Sequence, residues 1–219
     1  MTDHVHKYRG EKIDVTYDAK RCIHAAECLR GLPEVFDTER RPWVTPDSSE
    51  ARMVAEIVMR CPSGALHYDG KDDILPESPS GQNSITISPN GPLYVNGDVE
   101  LLDSTGKVIL QDTRLALCRC GASENKPFCD NSHRRVAFKH FAGSLVDPGD
   151  DEDSESLGDK LIVQASQNGP YLVQGKVEIR ASRGSETLIK SNAALCRCGG
   201  SNNKPFCDGT HEKNGFSSS

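Results

Sequence analysis

The sequence has no run of about eighteen apolar residues of the length a membrane-crossing helix requires. Its opening, MTDHVHKYRGEKIDV, has neither an apolar signal core nor an Arg-rich, acid-poor transit pattern. We therefore expect a soluble, cytoplasmic protein in a reducing compartment. Basic charge is also short, with 26 Lys and Arg against 32 Asp and Glu, a net charge of -6. Such a balance offers no cationic surface for phosphate backbones, which argues against nucleic acid as the main partner, and no membrane association is expected. Apolar residues make up only 36% and aromatics 5%, which makes for thin cores that bound metal could reinforce. No G-x-G-x-x-G follows a strand, no P-loop lysine motif occurs, and no nucleophile stands beside an activating base. The expectation is a protein that is not an enzyme.

Cysteine is present in quantity. The nine fall into three groups of three: Cys22, Cys28 and Cys61; Cys118, Cys120 and Cys129; Cys196, Cys198 and Cys207. An odd count with C-x-C spacing suits disulfides poorly, and clustered thiols in a reducing compartment more often hold metal. Two groups sit in near-identical stretches, CRCGASENKPFCDNSH at 118–133 and CRCGGSNNKPFCDGTH at 196–211, both of the form C-x-C-x8-C-x3-H. Thiolates are soft donors, and a neutral imidazole completes four-coordination on zinc or on an iron-sulfur cluster. Paired cysteines of structural zinc sites are usually two to four residues apart, so a one-residue gap weakens zinc. At this point zinc, an iron-sulfur cluster and a reactive disulfide pair all stay open.

The likeness extends beyond the cysteines. NGPLYVNGDVE at 90–100 matches NGPYLVQGKVE at 168–178; Asn90 and Asn168 are 78 positions apart, as are Cys118 and Cys196. That constant offset marks a duplicated unit. Ile85, Ile87, Leu93 and Val95 alternate with polar residues as in strands, with Asn96-Gly97 and Gln174-Gly175 as hairpin turns. The cysteine loops, rich in Gly, Asn and Pro, are expected to carry no regular element. Carboxylates crowd residues 147–159, predicting a solvated linker. Ahead of the repeats, Lys12 to Tyr17 reads as a strand. Asp47 to Arg60 reads as a helix with Asp47 as N-cap and Met53, Val54, Ile57 and Val58 on its apolar face. Residues 75–84 read as a joint. The fold class expected is α+β, with domains at 1–74, 84–142 and 160–219.

The pattern K-P-x-C-D-G-[ST]-H after C-x-C resembles the CDGSH iron-sulfur domain of the NEET family. Cys207, Asp208, Gly209, Thr210 and His211 carry it intact; Cys129, Asp130, Asn131, Ser132 and His133 carry it with Asn for Gly. Asn tolerates a left-handed backbone, so the first loop is still expected to close. The resemblance implies one 2Fe-2S cluster per motif. Cys118 and Cys120 would bind one iron and Cys129 and His133 the other, with Cys196, Cys198, Cys207 and His211 repeating the scheme. It also implies two mainly-β units packed as an intramolecular pseudo-dimer within a monomeric chain. A histidine ligand makes such a cluster less negative and sensitive to acid.

Toward the N-terminus, CIHAAECLRGLPEVF, RPWV and CPSGAL resemble the divergent mono-cluster ferredoxins. The resemblance implies a small ferredoxin-like domain in which Cys22, Cys28 and Cys61 hold a 3Fe-4S cluster, or a 4Fe-4S cluster with an outside fourth ligand. His24 is the candidate for that place. Trp43 is expected to pack over the cluster, and His67 to be structural. The resulting expectation is a three-cluster electron-transfer or redox protein whose partner is a redox protein. The alternatives are cluster storage with donation to an apo iron-sulfur acceptor, and a zinc-stabilised interaction module.

Overall fold

A computed structural model describes residues 4–141, 143–149, 160–182 and 186–218. The chain divides into two compact units, residues 1–78 and 79–219. The first mixes three short strands with two helices and the second is mainly β, so the described chain is mostly β with few helices, in keeping with an α+β class.

The first unit contains strands β1 (Val5–Tyr8) and β2 (Ile13–Asp18), helices α1 (Glu27–Gly31) and α2 (Ala51–Met59), and strand β3 (Leu66–Gly70). The strands form one antiparallel sheet in the order β1-β2-β3. Val15 of β2, Leu66 of β3, Val54 and Val58 of α2, and Phe36 are buried together. Each such side chain contributes about 2 kcal/mol by leaving water. Asp14 is buried beside them, and its carboxylate is held by Lys71 at 2.7 Å and Lys7 at 3.0 Å.

Helix α2 starts later than expected. Residues Pro46–Ser48 form a separate 3₁₀ turn, and Glu50, not Asp47, precedes the helix without a side-chain cap. Asp47 has another use, accepting a hydrogen bond from the Glu11 amide at 2.7 Å. The buried face is Ala51, Val54, Ile57 and Val58; Met53 points outward because it lies one position off that stripe.

The second unit contains β4 (Ser84–Ile87), β5 (Leu93–Leu102), β6 (Val108–Leu117), α3 (Ser132–Arg135), β7 (Lys160–Ala165), β8 (Tyr171–Arg180) and β9 (Thr187–Leu195). Each repeat makes its own antiparallel meander, β4-β5-β6 and β7-β8-β9. The first strands then cross over. β4 pairs parallel with β8 of the other repeat, placing Ile85 opposite Ile179, and β7 pairs parallel with β5, placing Val163 opposite Leu101. These two pairings map onto each other by the same 78-residue offset. Ile85, Val95, Leu101, Leu115, Val163, Val173 and Ile179 consequently share one core spanning both repeats.

Asn96-Gly97 is not a turn. It lies inside β5, whose alternate residues are buried along its whole length, and the register with β6 shifts between Asn96 and Val99. Gly97 is a bulge residue with φ +140°, and a Cβ there would stand 2.0 Å from Asn83 Oδ1. Gln174-Gly175 repeats the arrangement in β8, with φ +106° at Gly175 and a register shift between Gln174 and Val177. The β5–β6 turn instead falls at Asp103 to Lys107. There Asp103 Oδ1 accepts from the Thr105 and Lys107 amides, and Gly106 takes φ +86°.

The joint and the acidic linker are also more structured at their ends than their composition implied. Asn83 accepts from the Asp98 amide and donates to the Lys176 carbonyl. Asp147 meets the buried ammonium of Lys190 at 2.6 Å. The rest of the expected linker, residues 150–159, lies outside the described residues. Among the described residues no helix is long and apolar enough to cross a membrane.

Candidate metal centres

Each C-x-C begins where a strand ends. After β6, the Cys118 amide donates to the Pro127 carbonyl at 2.9 Å and the Cys129 amide to the Ala116 carbonyl at 2.9 Å. This two-bond bridge folds the loop back and sets the third cysteine beside the first two. The second repeat has the same bridge, Cys196 to Pro205 at 2.7 Å and Cys207 to Ala194 at 2.8 Å. Ser123 and Ser201 brace the loops from inside, each hydroxyl donating at 2.7 Å, to the Phe128 and Phe206 carbonyls respectively.

The histidines are returned by a left-handed residue. Gly209 has φ +81° and Asn131 φ 70°, so Asn adopts the conformation its position requires. Asp130 accepts from the Glu124 and Ser132 amides, and Asp208 from those of Asn202 and Thr210, fixing the turn before each histidine. Burial opposes ionisation of Asp130, yet the two amides hold its carboxyl below the usual range. The loops are not free of regular structure as expected: α3 carries His133, and a 3₁₀ turn over Thr210–Glu212 carries His211.

The donors come together in doublets. Cys118 Sγ lies 3.6 Å from Cys120 Sγ, and Cys129 Sγ 3.5 Å from His133 Nδ1. In the second loop the corresponding separations are 3.9 Å for Cys196 and Cys198 and 3.4 Å for Cys207 and His211. A tetrahedral metal with bonds of about 2.3 Å to sulfur and about 2.0 Å to nitrogen holds two sulfurs about 3.8 Å apart and a sulfur and nitrogen about 3.5 Å apart. Every doublet thus has the spacing of two ligands on one metal. Among the described residues no three His, Cys, Asp or Glu converge on a single ion. Each loop therefore carries two close pairs of candidate ligands.

The electrostatics suit an incoming cation. A hydrogen bond from Cys120 lowers Cys118 to about 6 against the effect of burial, while Cys120 is raised. Burial pushes Cys129 and Cys196 up to about 11, so these thiols stay protonated until metal displaces the proton. Burial, then Arg134 and Arg119, lowers His133 and favours the neutral ring that can ligate. Amides of Asn131, Gly200 and Gly209 point at Cys129, Cys198 and Cys207 from 3.3–3.5 Å.

The two loops touch. A Cβ on Gly121 would stand 2.7 Å from the Cys198 carbonyl oxygen, and one on Gly199 2.8 Å from that of Cys120. Each C-x-C also holds a buried arginine. Arg119 donates to the Gly91 and Ser88 carbonyls and to His140 Nδ1, and Arg197 donates to the Ser166 carbonyl. Burial lowers Arg119 to about 10, with Cys196 of the other repeat and then Cys120 acting in the opposite direction.

In the first unit, Cys22, Cys28 and Cys61 line one cavity together with His24, Tyr17 and Trp43. Cys22 follows β2, Cys28 lies in α1, and Cys61 stands just beyond α2. Arg21, buried, donates to the Ser63 carbonyl at 2.8 Å and ties the first cysteine loop to the last. Burial, then the neighbouring Cys61, pushes Cys28 up to about 11. Trp43 packs edge-on against Tyr17 at 4.9 Å. His24 is exposed with φ 52°, and His67 binds Glu77 at 2.9 Å.

The profile described as iron-binding zinc finger CDGSH type matches residues 90–134 and 168–212, and the one described as divergent 4Fe-4S mono-cluster matches residues 8–71. Two curated relatives, both named uncharacterized protein YjdI, come from Escherichia coli K12 and O157:H7. Each is 42% identical over 64 residues, covering 29% of this chain and 84% of the relative. The chain is a divergent mono-cluster 4Fe-4S domain joined to tandem CDGSH units. No solved structure matches this tandem CDGSH chain. The CDGSH chain is an iron-sulfur protein, and its matched segments contain every cysteine considered above.

The candidate ligands stand out in the sequence by their spacing, whereas the residues that brace the loops do not. Arg119, Arg197, Ser123, Ser201, Gly121 and Gly199 were all legible as identities between the repeats.

Proposed function

We propose that the chain is an electron-transfer protein carrying two 2Fe-2S clusters and one larger cluster, and that it is not itself an enzyme. The observation that carries this reading is the doublet spacing. Cys118 with Cys120, and Cys129 with His133, would each hold one iron of the first cluster. Cys196 with Cys198, and Cys207 with His211, would do so for the second. A mononuclear zinc module would instead need four donors around one point. When bound, such clusters supply one-electron chemistry. The protein's part is to seat them behind two-bond bridges, aim amides at the sulfurs, and bring the two loops into contact.

Reciprocal exchange of β4 and β7 supports an intramolecular pseudo-dimer, so we propose a monomeric chain. At the N-terminal cavity three thiolates, Cys22, Cys28 and Cys61, fit a 3Fe-4S cluster. His24 lines the same cavity, which favours a 4Fe-4S cluster as the second reading. The partner would be another redox protein.

Iron and acid-labile sulfide per chain, measured with electron paramagnetic resonance on anaerobically purified protein, test the proposal. About seven irons accompany a 3Fe-4S centre and about eight a 4Fe-4S centre. Colourless, sulfide-free protein containing zinc would refute it. Reversible reduction with no cluster loss separates a carrier from a cluster donor, which would instead load an apo-ferredoxin.

A further inference from the structure

The cysteine loops of the two repeats match closely, but one buried position nearby does not. Tyr171 opens β8, and its counterpart 78 positions earlier is Leu93, which opens β5. Tyr171 is fully buried. Its hydroxyl serves the other repeat, lying 2.9 Å from the Cys118 carbonyl and 2.8 Å from the Pro127 carbonyl, both in the first loop. The single phenolic proton is shared between these two acceptors. The Pro127 carbonyl also receives the Cys118 amide, so the phenol closes the bridge that seats Cys118. Over the Tyr171 ring, at 5.2 Å, lies the guanidinium of Arg197, which stands between Cys196 and Cys198. A continuous line of contacts thus runs from the main chain of the first loop, through one side chain, to the middle of the second C-x-C. Leu93 has no hydroxyl to return the contact.

We propose that Tyr171 is a positioning residue by which the second repeat holds the first metal centre, making the two centres unequal in lifetime and potential. The inference rests on the cluster reading given above. The O–H dipole turns its positive end toward Cys118, which favours an added electron on the first centre. That centre therefore has the higher potential and fills first. The hydroxyl also restrains the Cys118 main chain, so the first centre loses its cluster more slowly than it would with Leu93's chemistry at that place.

The test uses Tyr171→Phe in the full chain, which removes one oxygen and keeps the ring over Arg197. Potentiometric titration followed by electron paramagnetic resonance reads the two 2Fe-2S potentials, and decay of each signal under chelator reads cluster loss. One signal is expected to shift to lower potential and decay about tenfold faster, in proportion to one net hydrogen bond. The other signal and the N-terminal cluster remain unchanged, which also certifies folding. Cys207→Ala, which disables the second centre, assigns the affected signal to the first. Tyr171→Leu additionally uncovers Arg197 and is expected to shift the second signal as well. If Tyr171→Phe moves both signals together, removes both, or moves neither, the inference is overturned. Failure of the underlying reading looks different: the unmodified protein would show no 2Fe-2S signal at all.

Discussion

Gly121 packs against the carbonyl of Cys198, and with φ +78° it occupies backbone space that side-chain-bearing residues rarely adopt. The contact is repeated by Gly199 against Cys120. Both glycines are required twice, by conformation and by room, since an added Cβ would overlap main chain and not a movable side chain. We expect Gly121→Ala to lower the stability of the second unit by about 1–3 kcal/mol. Thermal unfolding monitored by circular dichroism checks this, and iron per chain should fall with it.

Replacing a neutral ligand by an anionic one should move potential in a known direction. His211→Cys puts a fourth thiolate at the second centre, making its cluster more negative and harder to reduce. The expected result is a lower midpoint potential for one 2Fe-2S signal, with the other unmoved. Equal potentials in variant and parent would show that His211 is not a ligand.

Asp14 ties acid stability to the first unit. Burial raises its pKa, but Lys71, Lys7 and the Gly10 amide outweigh this and leave it at about 2. A carboxyl whose folded pKa is depressed stabilises the fold above its unfolded value and loses that contribution as pH falls toward the folded one. Asp14→Asn should therefore cost roughly 2 kcal/mol near neutrality. The gap to the parent should close between about pH 4 and pH 2, read by urea denaturation at each pH.

The face beside His133 is basic and apolar, with Arg134, Val136 and Lys139 exposed; the corresponding positions beside His211 are Glu212, Asn214 and Ser217. The second repeat reaches the same loop geometry with these other residues, so the loop does not need the charge. An acidic redox partner would find its complement at the first centre. Arg134→Glu combined with Lys139→Glu should slow electron exchange with an acidic 2Fe-2S ferredoxin about tenfold at low salt. Stopped-flow rates should converge as ionic strength rises.

The three cysteine groups, the two histidines that follow the C-x-C motifs, and the repeat could be read from spacing because candidate ligands recur at fixed local offsets. Asn131 was legible for the same reason, since few residues adopt a left-handed backbone. Asn96-Gly97 misled because a bulge and a tight turn both call for glycine; only the Asp103 to Lys107 turn downstream, and Asn83 pressing on Gly97, distinguish them. Helix α2 began late because Asp47 was already engaged by Glu11, a contact 36 residues away in sequence. Crossing of β4 and β7 was not legible, since parallel partners leave no local signature; the resemblance implied two packed units and not which strands they exchange.

Because β4 completes β8 while β7 completes β5, neither repeat can be cut free as a finished module. A chain severed between Gly149 and Lys160 should yield two fragments that are each unfinished and mutually complementary, reassembling when mixed. Either fragment alone would be driven to pair with its own copy.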